Sequence, residues 1–200
     1  MSDHLETEQK YDADADFVLP DLSGLAGVAA AAPPKLYHLS ATYFDTEDLG
    51  LIRNKVTLRR RTGGSDEGWH LKLPVRQDTR REMHAPLGEP SVPAALAAQV
   101  EDITAGRPLR PIANLDTERT VVTLTGPAGE ELAEVADDRV TARRLDRPGA
   151  EPQTWREIEV EALSSDQQIP GLLEAAGQAL REAGARRSAS SSKLGRVLGQ

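Results

Sequence analysis

A chain of 200 residues with 38% hydrophobic side chains carries enough apolar material for one core and not for two independent ones. Its formal charge of −8 argues against attraction of the whole surface to nucleic acid or an anionic membrane, so a phosphate site has to be basic locally. The absence of cysteine removes disulfides, thiolate metal ligands and a cysteine nucleophile, and leaves oxygen and nitrogen as the donors for any metal.

The N-terminus, MSDHLETEQK, is polar and acidic where a signal peptide would be basic and then apolar, and no apolar run reaches the length of a membrane span, so the chain reads as cytoplasmic. A first strand is expected over 4–11. A loop with a short helix then runs through LPDLSGLAGVAAAAPP, which Pro33 and Pro34 end. Aromatic and β-branched residues predict strands over 35–45, 56–62 and 68–74, with GGSDEG as the tip of the hairpin joining the last two. Further strands are expected over 80–85, 118–125, 131–138, 140–146 and 154–163. Apolar residues at helical spacing predict helices over 92–104 and 170–183, and the tail RRSASSSKLGRVLGQ reads as polar and partly disordered. The expectation is an α+β fold: a barrel of about eight antiparallel strands with a few flanking helices.

Alternation along a strand sorts the charges by face. ETEQK puts Glu6, Glu8 and Lys10 on one face, and REIEVEAL puts Glu157, Glu159 and Glu161 on one face with Ile158 and Val160 on the other. In TLRRRTGG, Arg59 and Arg61 share a face; in WHLKLP, Lys72 shares one with His70. Arg80 with Glu82, Arg119, and Glu134 with Asp138 continue the pattern. A solvated outer face is the ordinary explanation for polar residues on alternate positions of a strand. It predicts mixed polar side chains, whereas these clusters are of one sign and repel unless counter-charges or ions offset them. Turned inward, the same faces would line a polar tunnel. Its carboxylates would suit Mg²⁺ or Mn²⁺, and its Arg and Lys groups would suit phosphate oxygens. The four histidines are scattered without metal-ligand spacing, and only His70 falls on a charged face.

ETEQK resembles the ExExK signature of the CYTH domains, the triphosphate tunnel metalloenzymes. ATYFDTEDLGL, TLRRRTGG, GWHLKLP, the Arg-x-Glu of Arg80 and Glu82, AEVADDRV, WREIEVEAL and SSSKL follow in the family's order, so the likeness spans nearly the whole chain as one domain, 1–200. The resemblance implies an eight-stranded antiparallel barrel that binds a small-molecule triphosphate and one or two divalent cations. It assigns Lys10, Arg59, Arg61, Lys72, Arg80, Arg119 and Lys193 to phosphate. Glu6, Glu8, Asp138, Glu157 and Glu159 are assigned to metal, with Glu134 and Glu161 as outlying members. Glu6, Glu8, Lys10 and Glu159 are the candidates for catalysis, one carboxylate orienting water.

Neither nucleic acid nor membrane is expected as a partner. Some bacterial relatives continue past this point into a histidine-rich CHAD domain associated with polyphosphate, and a longer natural chain would bring that partner in. Triphosphate hydrolysis is the leading reading. A non-catalytic polyphosphate or nucleotide module and a class IV adenylyl cyclase are its rivals.

Overall fold

The computed structural model of the protein describes residues 2–163 and 169–199. The strands are β1 (Ser2–Ala13), β2 (Ala30–Ala31), β3 (Lys35–Asp45), β4 (Thr57–Thr62), β5 (Gly68–Arg76), β6 (Thr79–Ala85), β7 (Arg110–Thr125), β8 (Glu131–Arg144), β9 (Gln153–Ala162) and β10 (Arg186–Arg187). The helices are α1 (Gly50–Arg53), α2 (Ala94–Ala98), α3 (Glu101–Thr104), α4 (Ile169–Glu182) and α5 (Lys193–Leu198). None of the described helices is long and apolar enough to cross a membrane.

Eight strands close into an antiparallel barrel in the order β1-β6-β5-β4-β3-β7-β8-β9, with β9 returning to β1. The closing strand serves two neighbours: Ser2 to Thr7 pair with β6, and Glu8 to Ala13 pair with β9. Closure leaves no long open edge, and the short pairs β2–β7 and β1–β10 cover part of the rim.

The apolar faces point outward, under helices. On one side Leu172, Leu173, Ala176 and Leu180 of α4 bury against Tyr11, Val135, Ile158 and Val160. At roughly 1.5–3 kcal/mol for each fully buried large aliphatic side chain, this stripe anchors α4. Gly177 is the contact point, since a Cβ there would stand 2.0 Å from the Tyr11 hydroxyl. On the other side Leu58, Trp69, Leu71 and Met83 pack under Leu51, Leu96 and Val100. A third apolar cluster lies inside the barrel at one end. There Leu194 and Val197 of α5 meet Ala41, Ile112, Leu115, Val140 and Ala142, so α5 plugs that end. Ser192 caps this helix by accepting from the Gly195 amide at 3.0 Å.

Several expected boundaries are corrected. The strands expected over 131–138 and 140–146 form one strand, because in a barrel with a polar interior an Asp137-Asp138 pair does not end pairing. Strand β7 starts at Arg110 rather than at residue 118, and Pro111 is accommodated beside a bulge between Tyr43 and Phe44. The 92–104 segment buries Leu96 and Val100 as its spacing predicts, but the backbone breaks at Val100 (φ −121°), giving two short helices. The loop before Pro33 holds only the two-residue β2 and no helix. The tail is ordered into β10 and α5 up to Leu198, the correction with the largest functional consequence.

Candidate functional site

Inward-pointing side chains enclose a cavity of about 280 Å³ in the barrel. All the residues expected to contact phosphate line it: Lys10, Arg59, Arg61, Lys72, Arg80, Arg119 and Lys193. Glu6, Glu8 and Glu159 also line it, whereas Asp138 and Glu157 lie below its floor, buried under Lys193. The five carboxylates expected to hold metal therefore divide into two groups.

The first group is Asp138, Glu157 and Glu159. Cross-strand register sets Asp138 opposite both Arg119 and Glu157, and one oxygen from each of the three carboxylates falls within 4.8 Å of the others. Like charges so close need cations, and the chain supplies three. Arg119 forks onto Asp138 (Nε–Oδ1 2.7 Å, Nη2–Oδ2 2.6 Å) and reaches Glu159 at 2.7 Å. The Lys193 ammonium stands among all three acids, and Lys10 bonds Glu159 as well as Glu8. Burial opposes ionisation of Glu159, but Lys10, Lys193 and Arg119 outweigh it and hold the carboxyl well below its ordinary value.

The second group sits on β1. Glu6 accepts from Lys72 through Oε1, while its buried Oε2 has no partner among the described residues. Burial raises the Glu6 carboxyl above its ordinary value, and Glu8 and Glu82 add to the effect. Glu8 likewise keeps one buried oxygen, Oε1, without a hydrogen bond, and Lys10 bridges it to Glu159. Glu161 stands across β8–β9 from Glu134, and its carboxyl is pushed up to about 8 by burial and by Glu6. Glu134 does not line the cavity.

The basic wall is β4. Arg59 donates only to the Tyr43 hydroxyl, at 3.3 Å, and among the described residues no carboxylate pairs with it. Arg61 is buried and bonded to Asp66 on the tip of the β4–β5 hairpin. Burial, with Arg59 and Arg119 close by, lowers the Arg61 guanidinium to about 9. An arginine as enclosed and unpaired as Arg59, with Arg61 beside it, forms a site that favours an anion.

Sequence reasoning did not select Tyr43 or Asp66 as site members, and it named Glu82 in the charge pattern and the Arg-x-Glu motif without giving it a role. Tyr43 was recoverable, because it pairs with Arg59 across β3–β4 and shares its face. Asp66 was not, since nothing periodic encodes how a hairpin tip folds back. Glu82 receives His70 Nδ1 at 2.6 Å, while His70 Nε2 faces the Asp66 carbonyl at 2.9 Å. A carbonyl only accepts, so Nε2 carries a proton, and the Nδ1–Glu82 contact then requires a second proton in that bond. Burial, with Arg59 and Arg61, outweighs Glu82 and lowers the ring to about 3, so the second proton belongs to the Nδ1–Glu82 bond and not to a free imidazolium. His70 thus clamps the hairpin tip to β6.

The chain matches the CYTH domain family over residues 5–197. It is 42% identical to the uncharacterized proteins MT2285 and Rv2226 of Mycobacterium tuberculosis; the match covers 98% of this chain but 40% of each relative, so the chain spans well under half their length. The fold is shared with a candidate adenylate cyclase of Bacillus halodurans (TM-score 0.65, 18% identity, 98% of both chains). It is shared also with PH1819 of Pyrococcus horikoshii (TM-score 0.55, 16% identity, 97% of this chain and 98% of that one). HpAC1 of Hippeastrum, a candidate adenylyl cyclase with a dominant triphosphatase activity, is a further neighbour (TM-score 0.52, 16% identity, 98% of this chain and 96% of that one). A family match across nearly the whole chain, joined to a closed eight-stranded barrel with an inward-facing ExExK strand, makes this chain a member of the CYTH domain family.

Proposed function

We propose that the barrel binds inorganic triphosphate together with Mg²⁺ or Mn²⁺ and hydrolyses its terminal phosphoanhydride. The observation that carries this reading is Arg59, a guanidinium inside the tunnel that makes no ion pair with a described carboxylate, in a cavity whose acids Glu6 and Glu8 each retain an oxygen without a hydrogen bond. A phosphate chain answers the first and a divalent cation the second.

The residues present fit a hard cation. Glu6 Oε2 and Glu8 Oε1 are buried oxygens that accept no hydrogen bond, and Asp138, Glu157 and Glu159 form a convergent oxygen set. Bound to these acids, the metal would neutralise phosphoryl charge and make a water more acidic. The basic side chains do the rest of the work. Arg59 offers a planar fork to the equatorial oxygens, Arg61, Arg80 and Arg119 add the N–H groups not already bonded within the protein, and Lys10, Lys72 and Lys193 add point charges along the chain of phosphates. Stabilising charge in this way is most of what phosphoryl transfer asks of a protein. Among the carboxylates that line the cavity, one of Glu6, Glu8 and Glu159 would orient the attacking water and accept its proton.

A cyclase has to position an adenine and a ribose hydroxyl as well. Tyr43 is the one Phe, Tyr or Trp ring among the described lining residues, and Arg59 engages its hydroxyl. The dominant triphosphatase activity of HpAC1 agrees with hydrolysis on this fold. The test is phosphate release from inorganic triphosphate, ATP and thiamine triphosphate with Mg²⁺, with Mn²⁺ and with chelator. Metal-dependent release strongest on inorganic triphosphate is expected. Arg59→Ala should weaken triphosphate binding by about a hundredfold, the loss of a charge-assisted bidentate contact. Cyclic AMP formed from ATP would decide for the cyclase, and tight binding without phosphate release for a non-catalytic module.

A further inference from the structure

The open end of the tunnel, opposite the α5 plug, is partly covered by the tip of the β4–β5 hairpin. Strand β4 ends at Thr62 and β5 begins at Gly68, and the segment between them brings Asp66 into the cavity lining beside Ser2, His4 and His84. Both ends of this tip are seated too closely for any residue but glycine. A Cβ on Gly63 (φ 79°) would stand 2.1 Å from the His38 carbonyl oxygen, and one on Gly68 would stand 2.3 Å from His84 Nε2. Two histidine rings, 4.9 Å apart, hold successive carbonyls of the tip: His70 Nε2 donates to Asp66 O at 2.9 Å and His84 Nε2 to Glu67 O at 3.2 Å. With its main chain fixed in this way, Asp66 turns its carboxylate inward onto Arg61.

The two halves of that ion pair differ in burial. The Arg61 side chain is 5% exposed and that of Asp66 is 56% exposed. Arg61 is enclosed with Arg59 and Arg119, its Nε has no partner among the described residues, and Asp66 is the one described carboxylate that pairs with it. A buried cation left without an anion is costly, whereas an exposed carboxylate loses little by turning back to water. Asp66 is therefore the half that can be exchanged. A phosphoryl group, with several charged oxygens, is the stronger partner for a guanidinium.

We propose that Asp66 is a built-in competitor of the substrate: its carboxylate holds Arg61 in the empty tunnel, and an entering phosphate chain displaces it toward solvent while the hairpin main chain stays in place. The proposal rests on the tunnel being a triphosphate site and adds to it a residue that weakens binding. Because the carboxylate returns to Arg61 as phosphate leaves, the same exchange assists product release.

The experiment is calorimetric binding of inorganic triphosphate in chelator, where turnover is stopped, to the parent chain and to Asp66→Asn, Asp66→Ser and Glu67→Gln. Glu67 is also exposed on the tip but does not line the cavity, so its substitution removes the same charge without touching Arg61. Both Asp66 variants are expected to bind triphosphate about tenfold more tightly, since one competing charge-assisted hydrogen bond is gone. Glu67→Gln should stay within about twofold of the parent. Unchanged or weaker binding in both Asp66 variants would overturn the proposal, because Asp66 would then stay on Arg61 or orient it for the ligand. An equal gain in Glu67→Gln would overturn it as well, by making the net charge of the mouth the cause. Each of these leaves the tunnel reading intact, whereas a parent chain that does not bind triphosphate would remove both.

Discussion

The Nζ of Lys193 lies 2.8 Å from Oε1 of Glu159, joining the first residue of the plug helix to the last barrel strand across the tunnel floor. The same ammonium is 2.8 Å from Asp138 and 2.6 Å from Glu157, so it stands where the three convergent acids would hold a cation. Three carboxylates are then balanced by three cations, Lys193, Lys10 and Arg119. A divalent ion entering this cluster has to share it with, or displace, a side chain that is covalently tied to the plug.

Lys193→Met should therefore expose the cluster's appetite for metal. Removing one partner from a buried charge network costs roughly 3–5 kcal/mol, because the remaining charges are left uncompensated. In chelator the variant should melt well below the parent. Added Mn²⁺ should recover more of the melting temperature in the variant than it adds to the parent, since binding to the folded state alone stabilises it. Thermal denaturation with and without Mn²⁺ checks this; equal Mn²⁺ shifts in the two proteins would mean that the ammonium and the metal do not compete.

Much of this site could be read in the sequence because strand alternation is rigid. Once 4–11 and 154–163 are strands, Glu6, Glu8 and Lys10, and Glu157 and Glu159, must each share a face, and the structure puts those faces inside. What alternation cannot convey is which acid meets which base. That depends on cross-strand register, such as Arg119 opposite Asp138, and on segments without periodicity. The tail reads as solvated from its serines, yet Leu194 and Val197 are enough to seat it in the barrel end and bring Lys193 under the acids.

Asp45 separates fold from site in the same neighbourhood. It is fully buried and accepts from the amides of Thr46 (2.7 Å), Leu51 (2.8 Å) and Ile52 (3.0 Å), so its carboxylate organises α1 at the end of β3. It does not line the tunnel. Asp45→Ala should cost about 2–4 kcal/mol, because buried amides lose a charged acceptor, with triphosphate affinity unchanged in the folded fraction. Urea unfolding and calorimetry together test this, and a large loss of affinity at unchanged stability would place Asp45 in the site.

Glu161 gives the tunnel a pH signature. Burial, with Glu6 and Glu8 nearby, pushes its carboxyl up to about 8 from an ordinary value of 4.5. Between those values the folded chain keeps a proton that the unfolded chain has released, so the folded state binds more protons there. Stability is then fully present below pH 4.5 and is lost as pH rises toward 8, with a slope of at most about 1.4 kcal/mol per pH unit for the one proton. Glu6 is raised as well and acts in the same direction, so Glu161→Gln should flatten the decline rather than abolish it. In chelator, urea denaturation across this range should find the variant similar to the parent at the acid end and more stable at the alkaline end. Parallel curves for the two proteins would mean that Glu161 is ionised in the folded chain and that the acids around it are better compensated than their burial indicates.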